Sequence, residues 1–137
     1  MPKLLLLSHF FPPYTTVQSR INIATVYTMQ DEGINTIVVS SEVPGNLVDN
    51  VFLKLTDDIL MYRYKSIKFD TFFYKLRSKF KIPPSKEVFS GISKCMLLTA
   101  QKAIKNNNGI DAVYSISSLG DAHKVGMLIA KIYRIPW

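Results

Sequence analysis

The sequence predicts an α/β protein in which helices cover both faces of a parallel sheet, as in doubly wound, Rossmann-like folds. Continuous apolar runs such as residues 4–7 are typical of strands that are buried on both faces. Segments with helical periodicity alternate with these runs along the chain. Because crossovers between parallel strands are right-handed, the expected strand order is 3-2-1-4.

The first strand is predicted at residues 3–8 and the first helix from Val17, after a loop whose two prolines exclude regular structure. Thr15 and Gln18 have the spacing of a capping box at the start of this helix. Gly33 is a natural stop for it. One face of the helix is formed by Val17, Ile21, Ala24 and Thr28.

Three further strands are predicted at residues 35–40, which are rich in β-branched side chains, at residues 59–64 and at residues 111–115. Ser85 follows two prolines and predicts the start of a helix that ends near Lys105. The buried stripe predicted for this helix consists of Val88, Phe89, Ile92, Cys95, Met96, Thr99 and Ala103.

The last helix is expected to begin near Ser118 and Asp121, which have capping-box spacing. Its predicted buried residues are Ala122, Val125, Ile129, Ile132 and Tyr133. Residues 134–137 indicate the beginning of another strand. We therefore expect this single domain, residues 1–137, to be the front portion of a larger protein. The alternative is a short tail that folds back on the surface.

The composition excludes several classes of protein. An apolar fraction of 47% with 20% charged residues excludes a disordered chain. No apolar run approaches the roughly 18 residues that a membrane span needs. A single cysteine, Cys95, excludes an internal disulfide and a thiolate metal site. These features predict a soluble protein of the cytoplasm.

Ligands of doubly wound sheets bind at the carboxyl ends of the strands, where the strand order reverses. Strands one and four are neighbours at that point, and the loops that follow them bring both histidines to one crevice. The candidate substrate-binding residues are His9, Tyr14, Thr15, Thr16, Arg20, Ser117, Ser118 and His123. Two helix N-termini at this crevice favour hydroxyl-rich or anionic ligands. The alternative is that these side chains only cap helices and stabilise loops.

The usual catalytic signatures are missing. The sequence has no glycine-rich dinucleotide fingerprint, no phosphate-binding P-loop and no Gly-x-Ser-x-Gly elbow. No group of His and Cys residues has metal-ligand spacing, so no metal site is predicted. The sequence therefore identifies no catalytic residue.

Most of the positive charge lies in one segment. Residues 62–81 hold seven basic residues and one acid, which accounts for +6 of the net charge of +7. Within this segment, Phe69, Phe72, Phe73, Leu76 and Phe80 recur at helical spacing, flanked by Lys68, Lys75, Arg77 and Lys79. This pattern is typical of an amphipathic helix on an anionic membrane surface. A helix packed on the domain is the alternative, and nucleic-acid binding is disfavoured because no recognition motif is present.

Two segments resemble glycosyltransferase family 4 proteins. KLLLLSHFFPPYTTVQSRINIATVYTMQDEGINTIVVS, residues 3–40, is similar to the family's first strand, Phe-Pro-Pro loop, Arg-bearing helix and second strand. DAVYSISSLGDAHKVGMLIAKIYRIPW, residues 111–137, is similar to a later strand of the family, its Ser/Pro loop, a His at a helix start and an Ile-Pro-Trp segment. Together they cover about half of the 137 residues.

The resemblance implies the N-terminal half of a GT-B fold, which binds a glycan or lipid-linked acceptor. A second domain would bind the nucleotide-sugar donor, so no cofactor is expected in this chain and the chain alone is expected to be inactive. Transfer in the family retains the anomeric configuration and needs no metal, and many members act on the inner membrane face. The chain departs from the family where Tyr14 to Ser19 replace glycines and where the Ser-rich loop lacks prolines.

Overall fold

A computed structural model describes residues 1–43, 45, 48–65, 91–117 and 120–137 of the chain. The described residues form alternating strands and helices, which confirms the predicted α/β class. In chain order they are β1 (Lys3–Ser8), α1 (Val17–Asp31), β2 (Asn35–Ser41), α2 (Asn50–Lys54), β3 (Leu60–Tyr64), α3 (Gly91–Asn106), β4 (Ala112–Ile116) and α4 (Asp121–Tyr133).

The strands form a parallel sheet in the order β3-β2-β1-β4, as predicted. The register pairs Leu7 of β1 with Val39 of β2 on one side and with Ser115 of β4 on the other. Ser8 pairs with Ile116 at the carboxyl ends of β1 and β4. The loops that follow these two strands therefore leave the sheet side by side.

Alternate residues of each strand pack on opposite helix layers, because successive side chains of a strand point to opposite faces. Leu5 and Leu7 belong to a core that includes residues of α3 and α4. Leu6 belongs to a second core, which includes Ile23 and Val26 of α1. Full burial of such a side chain stabilises the fold by about 1.5–3 kcal/mol. The two cores explain why the strands are apolar at consecutive positions.

Helix α1 begins at Val17 as predicted, but its N-cap is Thr16 and not Thr15. The Thr16 hydroxyl accepts the Ser19 backbone N–H at 3.2 Å. The helix ends at Asp31, and the positive φ of 77° at Gly33 is one that glycine adopts without strain.

The prediction that Val17, Ile21, Ala24 and Thr28 form the face of α1 that packs on the sheet is wrong. The exposed residues include Val17, Ile21, Ala24 and Thr28. The buried residues of α1 are Ser19, Asn22, Ile23 and Val26. The polar members of this set are buried because they hydrogen-bond to Thr16 and to the loop after β1, and apolar periodicity cannot identify such positions.

The stripe predicted for α3 agrees in part with the structure. Met96 and Ala103 are buried, whereas Ile92, Cys95 and Thr99 are half-buried. The helix is described from Gly91, so the predicted Ser85, Val88 and Phe89 lie outside the described residues, as does the basic aromatic segment from Lys68 to Lys81.

Helix α4 buries Ala122, Val125 and Ile129 as predicted. The prediction that Ile132 and Tyr133 are buried is wrong, because they are 50% and 40% exposed. Arg134 takes a left-handed conformation and reverses the chain, so that Ile135 packs on the core beside the helix instead. The N-cap of α4 is Gly120, which makes no side-chain capping bond, and not Ser118, which lies outside the described residues.

The segment after α4 returns to the sheet beside β4. The Val113 N–H donates to the Pro136 carbonyl at 2.9 Å, and the Trp137 indole N–H donates to Ser115 Oγ at 2.7 Å. Residues 134–137 are not part of a strand. The bond from Val113 to Pro136 nevertheless lies on the edge of β4 that faces away from β1. In the described part of the chain, no helix combines the length and the apolarity that crossing a membrane requires.

Candidate functional site

His9 is placed by its position directly after β1 and by a partner on β3. Its Nδ1 shares a hydrogen bond of 2.8 Å with the hydroxyl of Tyr64. Tyr64 belongs to the core formed with α3 and α4, so the imidazole lies on that side of the sheet. The Tyr64 partner could not be found from the sequence, since 55 residues separate it from His9.

Electrostatics keep both members of this pair uncharged at neutral pH. Burial lowers the pKa of His9, and the carboxylate of Asp121 opposes part of that shift. Burial also raises the pKa of Tyr64 above its ordinary value, and Asp121 adds to the increase. The carboxylate of Asp121 therefore lies close enough to both groups to influence their ionisation.

His123 is placed by the first turn of α4 and by a partner on β4. Its Nδ1 shares a hydrogen bond of 2.8 Å with Ser115 Oγ, which also accepts the Trp137 indole N–H. The rings of His123 and Trp137 meet edge to face, with their centroids 6.3 Å apart. The side chain of His123 remains exposed.

The register of the sheet places the two histidines at the same end of adjacent strands. Ser115, the partner of His123, pairs with Leu7, and His9 lies two residues beyond Leu7. Neighbouring strands are about 4.8 Å apart. Ser115 points to the same face of the sheet as Leu7, its partner in the register, and as Val113, two residues earlier in β4. Leu7 and Val113 both belong to the core with α3 and α4. Both imidazoles therefore lie on the α3/α4 side of the carboxyl end of the sheet.

Asp121, predicted only as a capping residue, also belongs to this crevice. It is the first residue of α4, and its carboxylate accepts the hydroxyl of Ser93 in α3. This bond joins the two helices beside the histidines. Ser117 accepts the Gly120 N–H at 3.1 Å and so supports the loop before α4.

Of the other predicted residues, Tyr14, Thr16 and Arg20 have contacts on other elements, and Ser118 lies outside the described residues. Tyr14 donates its hydroxyl to the Glu42 carbonyl at 3.3 Å, and Thr16 caps α1, next to the exposed Thr15. The guanidinium of Arg20 lies 5.4 Å from the centroid of the Phe52 ring, on the opposite helix layer. Tyr14 is linked to His9 through the ring of Phe10, which meets both side chains edge to face. A substrate role for these residues stays a prediction.

Asn22, which no sequence pattern identifies, fixes the loop that carries His9. Its side-chain amide is fully buried and donates to Ser8 Oγ at 2.7 Å and to the Phe10 carbonyl at 2.6 Å. Its oxygen accepts the Gln18 amide at 2.9 Å. Asn22 therefore attaches the residues before and after His9, Ser8 and Phe10, to helix α1.

Arg63 fixes the same loop from β3. Its guanidinium donates to Ser40 Oγ and the Ser41 carbonyl, each at 3.1 Å, and to the Pro12 carbonyl. Burial lowers its pKa, whereas Tyr14 and Glu42 oppose the shift. A basic residue inside a predicted strand is the signal that could have identified it.

A cavity of about 240 Å³ lies at the carboxyl ends of β2 and β3. It is lined by Pro13, Glu42, Val43, Val48, Leu53 and Arg63. None of these is a predicted substrate-binding residue. The lining of the cavity includes neither His9 nor His123.

The crevice offers imidazoles, hydroxyls and the Asp121 carboxylate, which are groups that exchange hydrogen bonds with an oxygen-rich ligand. Within the described ranges, no three His, Cys, Asp or Glu side chains are grouped so that they could hold a metal ion. The arrangement is suited to binding and positioning.

Comparison of the chain with protein-family models, curated proteins and solved structures finds no match.

Proposed function

We propose that the chain is the acceptor-binding domain of a retaining glycosyltransferase, with the nucleotide-sugar bound mainly by a second domain. The acceptor is a polysaccharide or a lipid-linked glycan, and the protein acts in the cytoplasm or on the inner membrane face. The observation that supports this proposal is the placement of His9 and His123 at the carboxyl ends of β1 and β4. That point of a doubly wound sheet is where ligands bind.

The chemistry of the crevice supports a sugar as the ligand. Sugar hydroxyls both donate and accept hydrogen bonds, and the crevice combines imidazole nitrogens with the Asp121 carboxylate. The sequence resemblance of residues 3–40 and 111–137 to glycosyltransferase family 4 proteins points to the same class of ligand.

Titration of the chain with short oligosaccharides tests this proposal. The chain has two histidines, so imidazole NMR signals report His9 and His123 separately. We expect one class of saccharide to shift both signals. His9→Gln and His123→Gln are each expected to weaken binding about fivefold, since a neutral hydrogen bond contributes about 1 kcal/mol net. Lys124→Gln, a change at an exposed position of α4, is the control.

The donor side of the proposal is tested by calorimetry with nucleotide-sugars. The chain alone is expected to show no sugar transfer and no tight binding of a nucleotide-sugar, because the donor would bind the second domain. Micromolar binding of a nucleotide-sugar would contradict the two-domain proposal.

A non-catalytic module that docks on membranes is the second candidate, favoured by the charge of residues 62–81. Its test is co-sedimentation with anionic and neutral vesicles. Each basic residue at an anionic surface contributes about 1 kcal/mol, so changing Lys75, Arg77 and Lys79 to Glu is expected to abolish binding to anionic vesicles. Equal binding to both kinds of vesicle, or binding to neither, would exclude docking.

A further inference from the structure

The two histidines of the crevice are held in the same way. Each uses Nδ1 to share a hydrogen bond with a hydroxyl from a neighbouring strand, Tyr64 for His9 and Ser115 for His123. Neither Nε2 atom has a hydrogen-bond partner in the part of the chain that the structure describes. Among the described residues, Thr36 Oγ1 is the side-chain polar atom that is both buried and without a partner. The Nε2 of half-buried His9 has no partner among them either, so it must be exposed to solvent.

The direction of the His9 bond follows from the burial of Tyr64. The phenol is only 4% exposed, and His9 Nδ1 is the hydrogen-bond partner of its hydroxyl. If Nδ1 carried the proton, the hydroxyl hydrogen of Tyr64 would be left without an acceptor, and buried donors are rarely left so. Tyr64 therefore donates to Nδ1, and the ring proton of neutral His9 resides on Nε2.

The direction of the His123 bond follows from the indole. The Nε1 of Trp137 is a donor only, so Ser115 Oγ must accept from it. The hydroxyl hydrogen of Ser115, a side chain that is 9% exposed, then has His123 Nδ1 as its acceptor. The chain of bonds runs from Trp137 through Ser115 to His123 and leaves the proton of the neutral ring on Nε2.

We propose that Tyr64 and Ser115 are positioning residues that hold His9 and His123 as a pair of Nε2–H donors, and that this pair binds the oxygen atoms of an uncharged, hydroxyl-rich ligand. The ligand class rests on the proposed function, whereas the protonation pattern does not. The Nε2–H groups of uncharged imidazoles donate hydrogen bonds without carrying positive charge, and the carboxylate of Asp121 stands beside them at the start of α4, where it accepts the Ser93 hydroxyl. A neutral sugar therefore fits the pair better than a phosphate does.

The protonation pattern is tested by ¹⁵N NMR of the imidazole rings of the whole chain. The measurement is made at about pH 8, well above the ordinary pKa of a free imidazole, about 6.5. We expect both rings to show a protonated Nε2 and an unprotonated Nδ1. A protonated Nδ1 on either ring would overturn the proposal, whatever the ligand.

Variants test the positioning roles. Tyr64→Phe is expected to give His9 a mixture of the two tautomers and to leave the tautomer of His123 unchanged. Ser115→Ala is expected to give His123 the mixture and to leave His9 unchanged. Tyr62→Phe, in the same strand and on the same face as Tyr64, is the matched control. An unaltered His9 signal in folded Tyr64→Phe would overturn the positioning role of Tyr64. If that variant fails to fold, the tautomers of the unmodified chain still decide the donor assignment.

Two probes test the ligand class, methyl α-D-glucopyranoside and inorganic phosphate. The glucoside is expected to shift both Nε2 signals, and phosphate is expected to shift neither. Shifts with phosphate alone would overturn the ligand class. Protonated Nε2 atoms that respond to neither probe would uphold the donor assignment and contradict both the ligand class and the proposed glycan-binding function.

Discussion

Gly126 of α4 lies directly against the indole of Trp137. A β-carbon added at Gly126 would lie 2.8 Å from the indole Nε1, closer than such atoms approach without displacement, and 3.2 Å from Ser115 Cβ. The missing side chain thus makes room for the indole that donates to Ser115. The position of the Trp137 indole therefore depends on this glycine. The position of His123 depends on it too, because His123 and Trp137 share the hydroxyl of Ser115.

Gly126→Ala is expected to displace the indole rather than unfold the domain. Trp137 is 58% exposed and has room to move, and replacement of a helical glycine by alanine stabilises the helix by about 1 kcal/mol. The chain has a single tryptophan, so its indole N–H signal can be followed by NMR. We expect that signal to shift and to exchange faster with water. Lys124→Ala, at an exposed position of α4, is the control and is expected to leave the signal unchanged. An unchanged signal in Gly126→Ala would contradict the close contact between residue 126 and the indole.

Asn22→Leu is expected to lower the free energy of unfolding by about 1–3 kcal/mol, because it removes the buried amide that donates to Ser8 Oγ and to the Phe10 carbonyl. Leucine has a similar size, so little of this loss comes from a cavity. Urea unfolding measures it. Gln18→Leu, which removes a half-buried partner of Asn22, is the control with a smaller expected loss. Equal losses in the two variants would argue against a special role of Asn22.

Arg63→Lys is expected to destabilise the fold by about 1–3 kcal/mol although it keeps the charge. A lysine ammonium cannot reproduce the planar set of donors that joins Pro12, Ser40 and Ser41. Urea unfolding of this variant is compared with that of Lys65→Ala, an exposed position directly after β3. Stability equal to that of the unmodified chain would show that charge alone is sufficient at this position.

His9 is expected to make stability fall in weakly acidic solution. Burial holds its pKa in the folded state below the ordinary value of about 6.5, so the unfolded chain binds more protons between the two values. The free energy of unfolding therefore decreases as the pH falls from about 6.5 through the folded pKa. Urea unfolding at several pH values measures this slope.

His9→Gln is expected to show a shallower slope than the unmodified chain over that range, because glutamine does not titrate. The comparison removes the contribution of the acidic residues, which both proteins share. Identical slopes would mean that His9 does not contribute to the pH dependence.

The class of fold, the strand order and the end of the sheet where the histidines lie follow from the sequence. These features depend on local patterns, namely the apolar runs of residues 3–8 and 35–41, and on the handedness of crossovers, which is the same in nearly all proteins. The prediction of the α1 face failed because the helix buries Asn22 and Ser19, whose burial depends on hydrogen bonds and not on apolarity.

The partners of the histidines were decided by the tertiary structure alone. Tyr64 is 55 residues from His9, and the indole of Trp137 reaches Ser115 from 22 residues away. No periodicity relates such pairs, since they meet only where separate strands and helices pack at one end of the sheet. A buried hydroxyl must find a partner among whatever groups the packing brings near it, and that choice sets which imidazole nitrogen remains to face a ligand.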